Sequence, residues 1–376
     1  MQIETLEWSD RNGWRSDGAK ADQAALVLYF AAPKAVGPAS PFAELRTRFP
    51  TARIVGCSTG GEILGEDVLD DSAVAAAIGF DRATIAIATA EIAVGGNSRQ
   101  AGIRLAQGLE QDGLRSVLVL ADGTRTNGTA LIAGLREVLP ATITVTGGLA
   151  GDGADFRRTL VGCDGEPAEG MLVAIGFYGE SLRIGWGSFG GWDRFGPERR
   201  ITRAIDNVLF ELDGEPALDL YKRYLGNDEA ANLPGSALLF PLTIRPQDDE
   251  NGELVRTIVA VDEDARSLIF AGDIPEGHVA QLMRGYFDGL VEGASKAGDA
   301  AAQGDQPVLA LLISCIGRKL LMGQRIVDEV EAVAESLGAS ARLLGFYSYG
   351  EIAPHGFTGR CELHNQTMTI TTIGEA

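Results

Sequence analysis

The sequence predicts an α+β fold of two domains, built from repeated β-α-β-β units that form mixed sheets with helices packed on them. Three observations predict it. Short apolar runs of about four to eight residues, bounded by Gly, Pro or Asp, read as strands. Stretches with apolar residues at helical spacing alternate with them. One order, strand, helix, strand, glycine turn, strand, recurs three times.

The first copy takes strands at 24–30, 52–57 and 73–80. Its helix begins at Ser40-Pro41, carries Phe42, Leu45 and Phe49 on one face, and stops at Pro50. The second copy takes strands at 116–122, 142–148 and 170–177, with a helix over 129–139 stopped by Pro140. The third takes strands at 308–315, 342–348 and 366–373. Its helix aligns Ile326, Val330, Val333 and Leu337, and Gly338 stands where a left-handed cap is expected. A further helix is predicted over "HVAQLMRGYFDGLVEGA" (278–294), with Val279, Leu282, Tyr286 and Leu290 at helical spacing. The domains are expected at 22–215 and 216–373. Gly214 and Pro216 mark the boundary within "ELDGEPALDL", and the acidic run 245–253 reads as an exposed hairpin loop.

Bulk chemistry narrows the function. With 32 basic and 52 acidic residues the net charge is −20, which disfavours nucleic acid as a partner. No run approaches the roughly 20 apolar residues of a membrane span. The N-terminus lacks an apolar signal core, and the four cysteines form no C-x-x-C pair. A cytoplasmic protein without membrane contact is expected.

The turns carry the most specific pattern. "GCSTGGEI" begins at Gly56 and "GFYSYGEI" at Gly345, while "GGLAGDGA" from Gly147 is a degenerate third copy. Gly56–Gly60 also matches G-x-S-x-G, the pattern of a serine nucleophile on a sharp turn. A hydrolase using Ser58 is therefore one reading. Against it, a glycine- and acid-rich loop replaces the required helix, and Ser58 aligns with Leu149 and Tyr347 in the other copies. No phosphate-binding glycine loop is present in the first strand–turn–helix. Glu62 and Glu351 occupy equivalent turns. They either meet across a cleft at one ligand or bond the neighbouring main chain.

His364 is the candidate metal ligand. Alternation in "CELHNQTMTITTI" puts His364, Gln366, Met368 and Ile370 on one face. On one strand His364 and Met368 would lie about 13 Å apart, too far to sandwich one iron. A hydrogen-bonded core histidine is the bland alternative, and His355 reads as a surface residue.

Five segments, "GCSTGGEI", 201–226, "LLISCIGRKLLMG", "GFYSYGEIAP" and "CELHNQTMTITT", together resemble FIST proteins over about residues 22–373. The resemblance implies a non-enzymatic, intracellular small-molecule sensor of signal transduction, with an N-terminal and a C-terminal FIST domain. It implies a ligand such as an amino acid or derivative, bound between the domains, and a separate signalling partner. Cys57, Ser58, Glu62, Tyr347, Ser348 and Glu351 are the residues expected to line that site. It also implies a second type, a haem-binding nitric oxide sensor acting on a histidine kinase or cyclic-di-GMP enzyme, for which His364 is the candidate axial ligand.

Overall fold

The structure is a computed structural model that describes residues 1–21, 23–35, 41–249, 252–304 and 308–376. Asp22 and Ser40, named above as a domain start and a helix start, lie outside the described residues, as do two positions of the acidic 245–253 run.

The three repeats fold alike. Each has a lead strand, a helix, a second strand, a swapped strand and a closing strand. In unit one these are Leu26–Ala31, Pro41–Arg48, Arg53–Ser58, Glu62–Leu64 and Ala73–Gly79. In unit two they are Leu114–Ala121, Gly128–Val138, Thr144–Leu149, Val161–Cys163 and Met171–Tyr178. In unit three they are Val308–Cys315, Val327–Leu337, Ala341–Ser348, Gly350–Pro354 and Met368–Glu375. The lead and second strands pair in parallel in all three units, and the closing strand pairs antiparallel to the lead strand. A parallel pair needs a crossover, and the helix supplies it.

No unit completes its own sheet. The swapped strand of unit one pairs with the second strand of unit three, that of unit three with unit two, and that of unit two with unit one. The exchange is cyclic. Among the described residues three six-stranded sheets result, and a fourth, eight-stranded sheet is drawn from residues 192–285.

The lead strands are buried on both faces, which is why they read as unbroken apolar runs rather than alternations. Leu26, Leu28 and Phe30 meet Leu118, Leu120, Leu309, Leu311 and Ile313 in one central core. The opposite faces take the helices: Val27 and Tyr29 pack with Phe42 and Leu45, and Val117 and Val119 with Leu131 and Leu135. A separate core forms between the fourth sheet and the helix Ala217–Leu225.

The expected helix over 278–294 is corrected. Val279–Gly285 is a strand between Trp192–Ile205 and Leu242–Arg245, and the helix starts only at Phe287 and runs to Ala301. Ala280 and Leu282 are buried two residues apart, and strand neighbours on both sides override the helical spacing. Gly338 does end its helix with a positive φ of 74°. Among the described residues no helix is long and apolar enough to cross a membrane.

The second-strand glycines mark one strict steric demand. Gly56, Gly147 and Gly345 each face the parallel lead strand at the same register, opposite Tyr29, Val119 and Leu312. A Cβ there would sit 2.3, 1.9 and 1.9 Å from the carbonyl oxygens of those partners. Gly345→Ala is expected to destabilise the fold by about 2 kcal/mol or more in urea unfolding. Gly356→Ala, where a Cβ meets nothing within 4 Å, is the neutral control. Equal stability of the two variants would refute this account.

Candidate ligand-binding site

The three glycine turns converge. Gly60 N donates to Tyr347 O at 2.7 Å, Gly151 N to Ser58 O at 3.0 Å, and Tyr349 N to Leu149 O at 3.1 Å. Each turn thus donates to another, and the three bonds close a ring around the exchange of strands.

The turn residues expected to bind ligand are all buried within this arrangement. Ser58, Glu62, Tyr347, Ser348, Glu351 and Cys57 each have no exposed surface. Ser58 Oγ accepts from Leu160 N at 2.9 Å, so its hydroxyl ties the swapped segment of unit two. Cys57 packs in the central core, where burial pushes its thiol up. Tyr347 donates to Glu329 Oε1 at 3.1 Å. Glu329 in turn forms a buried pair with Arg318, with Nη2–Oε2 at 2.7 Å. That pair is hydrogen-bonded further by Ser314 and the Leu290 carbonyl, as a buried pair requires.

The two glutamates bond separate turns. Glu62 accepts from Thr59 Oγ1, from Ser72 Oγ at 2.7 Å and from Ser72 N at 3.3 Å. Glu351 accepts from Ser348 Oγ at 2.7 Å, from Thr367 Oγ1 at 2.9 Å and from Thr367 N at 3.3 Å. Each carboxyl therefore bonds its own turn to the residue just before its closing strand. Unit two has Gly153 at this place, and Asp122 substitutes: its Oδ2 accepts from Gly170 N at 2.6 Å, just before the closing strand. Asp122 Oδ1 also accepts from Thr124 N, Arg125 N and Thr159 Oγ1 at 2.9, 3.0 and 2.6 Å, and so shapes the loop 123–127.

That loop borders a cavity of about 570 Å³. Ser98, Thr124, Arg125, Thr126, Asn127 and Phe156 line it, together with Leu238, Thr257, Val259, Phe270, Cys315 and Tyr349. None of the six expected turn residues does so; their neighbours Leu149 and Tyr349 do. Tyr349 OH is fixed by Asp152 N at 3.1 Å and Gly153 O at 3.0 Å, and its ring stacks on Phe156 at 4.5 Å. The cavity has the size and mixed lining of small-ligand sites. The sequence held one clue to it: Asp122-Gly123, followed by the capping Asn127, opens the helix Gly128–Val138.

His364 does not fit an axial haem ligand through Nε2. That nitrogen lies 3.0 Å from Ala353 O and donates to it. Burial pushes the imidazole down to about 3, so it is neutral at pH 7. His364 and Met368 also lie on different strands, separated by Gln366 with φ of 63°. His355 is half-buried rather than on the open surface, with Nε2 2.9 Å from Glu253 O. Among the described residues no cluster of three or more His, Cys, Asp or Glu could hold a metal ion.

Burial raises Glu62 to about 7 and Glu351 to about 8, against hydrogen bonds that lower them. Both values exceed those of an unfolded chain, so between about pH 4.5 and pH 8 the folded state binds more protons. Stability from these groups is full at low pH and is lost as pH rises through 7 to 8. Urea unfolding between pH 5 and pH 8.5 is expected to show this decline, at most about 1.4 kcal/mol per pH unit for each group. Glu351→Gln should flatten it; an unchanged slope in that variant would contradict the burial account.

Comparison with known proteins finds two family models along the chain. Residues 25–215 match the FIST N domain and residues 217–354 the FIST C domain. An uncharacterized protein of Methanocaldococcus jannaschii is 24% identical over 334 residues. The alignment covers 82% of this chain and 62% of that protein, so this chain spans under two thirds of its relative. A crystal structure of cyanuric acid hydrolase from A. caulinodans aligns over 94% of this chain and 91% of its own. At a TM-score of 0.33 and 10% identity, that likeness carries no conclusion. FIST domains are sensory domains of signal transduction proteins rather than catalytic ones. With both domains present in order over most of its length, the chain belongs to the FIST family.

Proposed function

We propose that this chain is a sensory protein of signal transduction that takes a small molecule into the cavity beside loop 123–127 and passes its occupancy to a separate protein. One observation carries the reading: the cavity takes its lining from both family ranges, Gly95 to Asn207 from the first and Leu238 to Tyr349 from the second. A ligand there touches both. It favours whichever arrangement of the two it binds better, by the difference in affinity. We take the partner to be a separate signalling protein, such as a histidine kinase or cyclic-di-GMP enzyme, which reads that shift.

The reading is non-catalytic. Ser58 is fully buried and its oxygen is engaged by Leu160 N, so it has no room for a substrate carbonyl.

The test is a thermal-shift screen of small metabolites against wild type and Ala271→Trp, which fills the cavity from its lining. A ligand held at a hundred times its Kd should stabilise wild type by about 2.7 kcal/mol, and the variant should lose this response. A ligand that stabilises both equally would place binding elsewhere and sink the proposal.

A further inference from the structure

We infer that the Tyr349 ring is the stacking platform for the cavity's ligand and that Phe156 is the chain's own stand-in for it, so that the site takes a molecule with a planar ring, which displaces Phe156. The inference rests on the cavity being the ligand site. Phe156 and Tyr349 both line that cavity, with ring centroids 4.5 Å apart and ring planes 17° apart. At that separation the rings are in direct stacking contact, and no third ring fits between them. A planar ligand therefore reaches the covered face of Tyr349 only by taking the place of Phe156.

The two rings are held very differently. Tyr349 is only 8% exposed. Its amide is tied to Leu149 O at 3.1 Å, and its hydroxyl bonds the Asp152 carboxylate, Asp152 N at 3.1 Å and Gly153 O at 3.0 Å. Phe156 is 38% exposed and belongs to none of the four hydrophobic cores of the described residues. Tyr349 is its one aromatic partner among the described residues. The main chain beside it is pinned without help from the ring: the Asp152 carboxylate accepts from Phe156 N and Arg157 N at 2.9 Å each and from Arg158 N at 2.7 Å. The side chain can thus leave Tyr349 by a change of rotamer while the loop stays in place.

The backbone at Phe156 is an independent sign that its ring has a task. Its φ is 51°, in the left-handed region, where Gly or Asn costs least and a bulky side chain is an outlier. Such outliers persist where the surroundings impose them, and they cluster at ligand clamps. A ring left more than a third exposed recovers only part of the gain of burial. What Phe156 gains is the stack on Tyr349, which is the contact a ligand's ring makes in its place. A segment that merely closed the fold would carry glycine here, as Gly153 at φ 76° does three residues earlier.

The test uses the full chain in titration calorimetry with two probes of one skeleton, planar 2-naphthol and its saturated counterpart decahydro-2-naphthol. Phe156→Gly removes the stand-in at a φ that glycine accepts, and Phe156→Asn repeats the removal with less backbone freedom. In these variants, checked for cooperative melting, 2-naphthol is expected to bind about threefold or more tightly than in wild type, because no stacked pair has to be broken. It should also bind them about threefold or more tightly than the saturated probe does. Unchanged or weaker 2-naphthol binding in both variants makes Phe156 a wall of the site and overturns the inference. Equal binding of the two probes overturns it as well; if Ala271→Trp abolishes that binding, the cavity itself remains the ligand site. 2-Naphthol binding unchanged by Ala271→Trp overturns both. Silence from both probes at millimolar concentration in every variant overturns the ring-bearing ligand, and the wider metabolite screen then decides the cavity reading.

Discussion

The three backbone hydrogen bonds among the glycine turns are the constraint on which this architecture depends. Gly60, Gly151 and Tyr349 each donate to the strand end of another unit. Those bonds set where each chain leaves its own sheet and enters the next. Without the exchange, every parallel pair would expose the outer edge of its second strand, a row of unpaired amides and carbonyls. With it, that edge is covered by a strand from elsewhere in the sequence. The consequence is mutual dependence: unit one completes unit three, unit three completes unit two, and unit two completes unit one. The two family ranges are therefore not separable layers. Strand Glu62–Leu64 of the first range lies in the sheet of unit three, and strand Gly350–Pro354 of the second lies in the sheet of unit two.

Buried carboxyls lock the exchange. Each swapped segment must be held against the start of a closing strand, where a main-chain amide needs an acceptor. Glu62 and Glu351 supply it from the turn itself, and Asp122 supplies it from the end of a lead strand. The chemistry is shared while the residue that provides it is not. This explains why a glutamate is absent from the second repeat without loss of the geometry. It also frees the 150–160 segment to be longer there, with Asp152 gathering the amides of Phe156, Arg157 and Arg158 at 2.9, 2.9 and 2.7 Å. Phe156 is carried to the cavity by that longer segment.

Much of this was legible in the sequence, and the exceptions have physical causes. The repeat itself was legible because a parallel β-α-β unit leaves a periodicity of strand, helix and strand. The glycines at 56, 147 and 345 were legible because a close backbone approach tolerates no Cβ at that register. The recurrence of Gly-Glu-Ile was visible, but its use was not: whether two carboxyls meet or part depends on the direction of each turn, and direction is a tertiary fact. The helical spacing of Val279, Leu282, Tyr286 and Leu290 misled because it runs across a strand and the helix after it, and only Leu282 lies on the buried strand face, beside Ala280. His364 and Met368 looked like one strand because no Gly or Pro announces the positive φ at Gln366. The cavity was least legible, since its lining is gathered from loops and strand ends more than 200 residues apart in sequence.

The position of that cavity links it to the ring. Leu149 and Tyr349 both line it, and they are the acceptor and donor of one of the three ring bonds. That bond joins unit two to unit three, across the two family ranges. Ser348 and Gly350 flank Tyr349, and Ser348 donates to Glu351, which holds Thr367 at the root of the closing strand. A ligand against the Tyr349 ring thus bears on a residue whose backbone is fixed at the joint and whose neighbours are locked by a buried carboxyl. Dense packing allows such a joint few intermediate positions. A small displacement at the ring can then be transmitted along the Gly350–Pro354 strand into the sheet it completes, which is the physical route a sensory reading of the cavity requires.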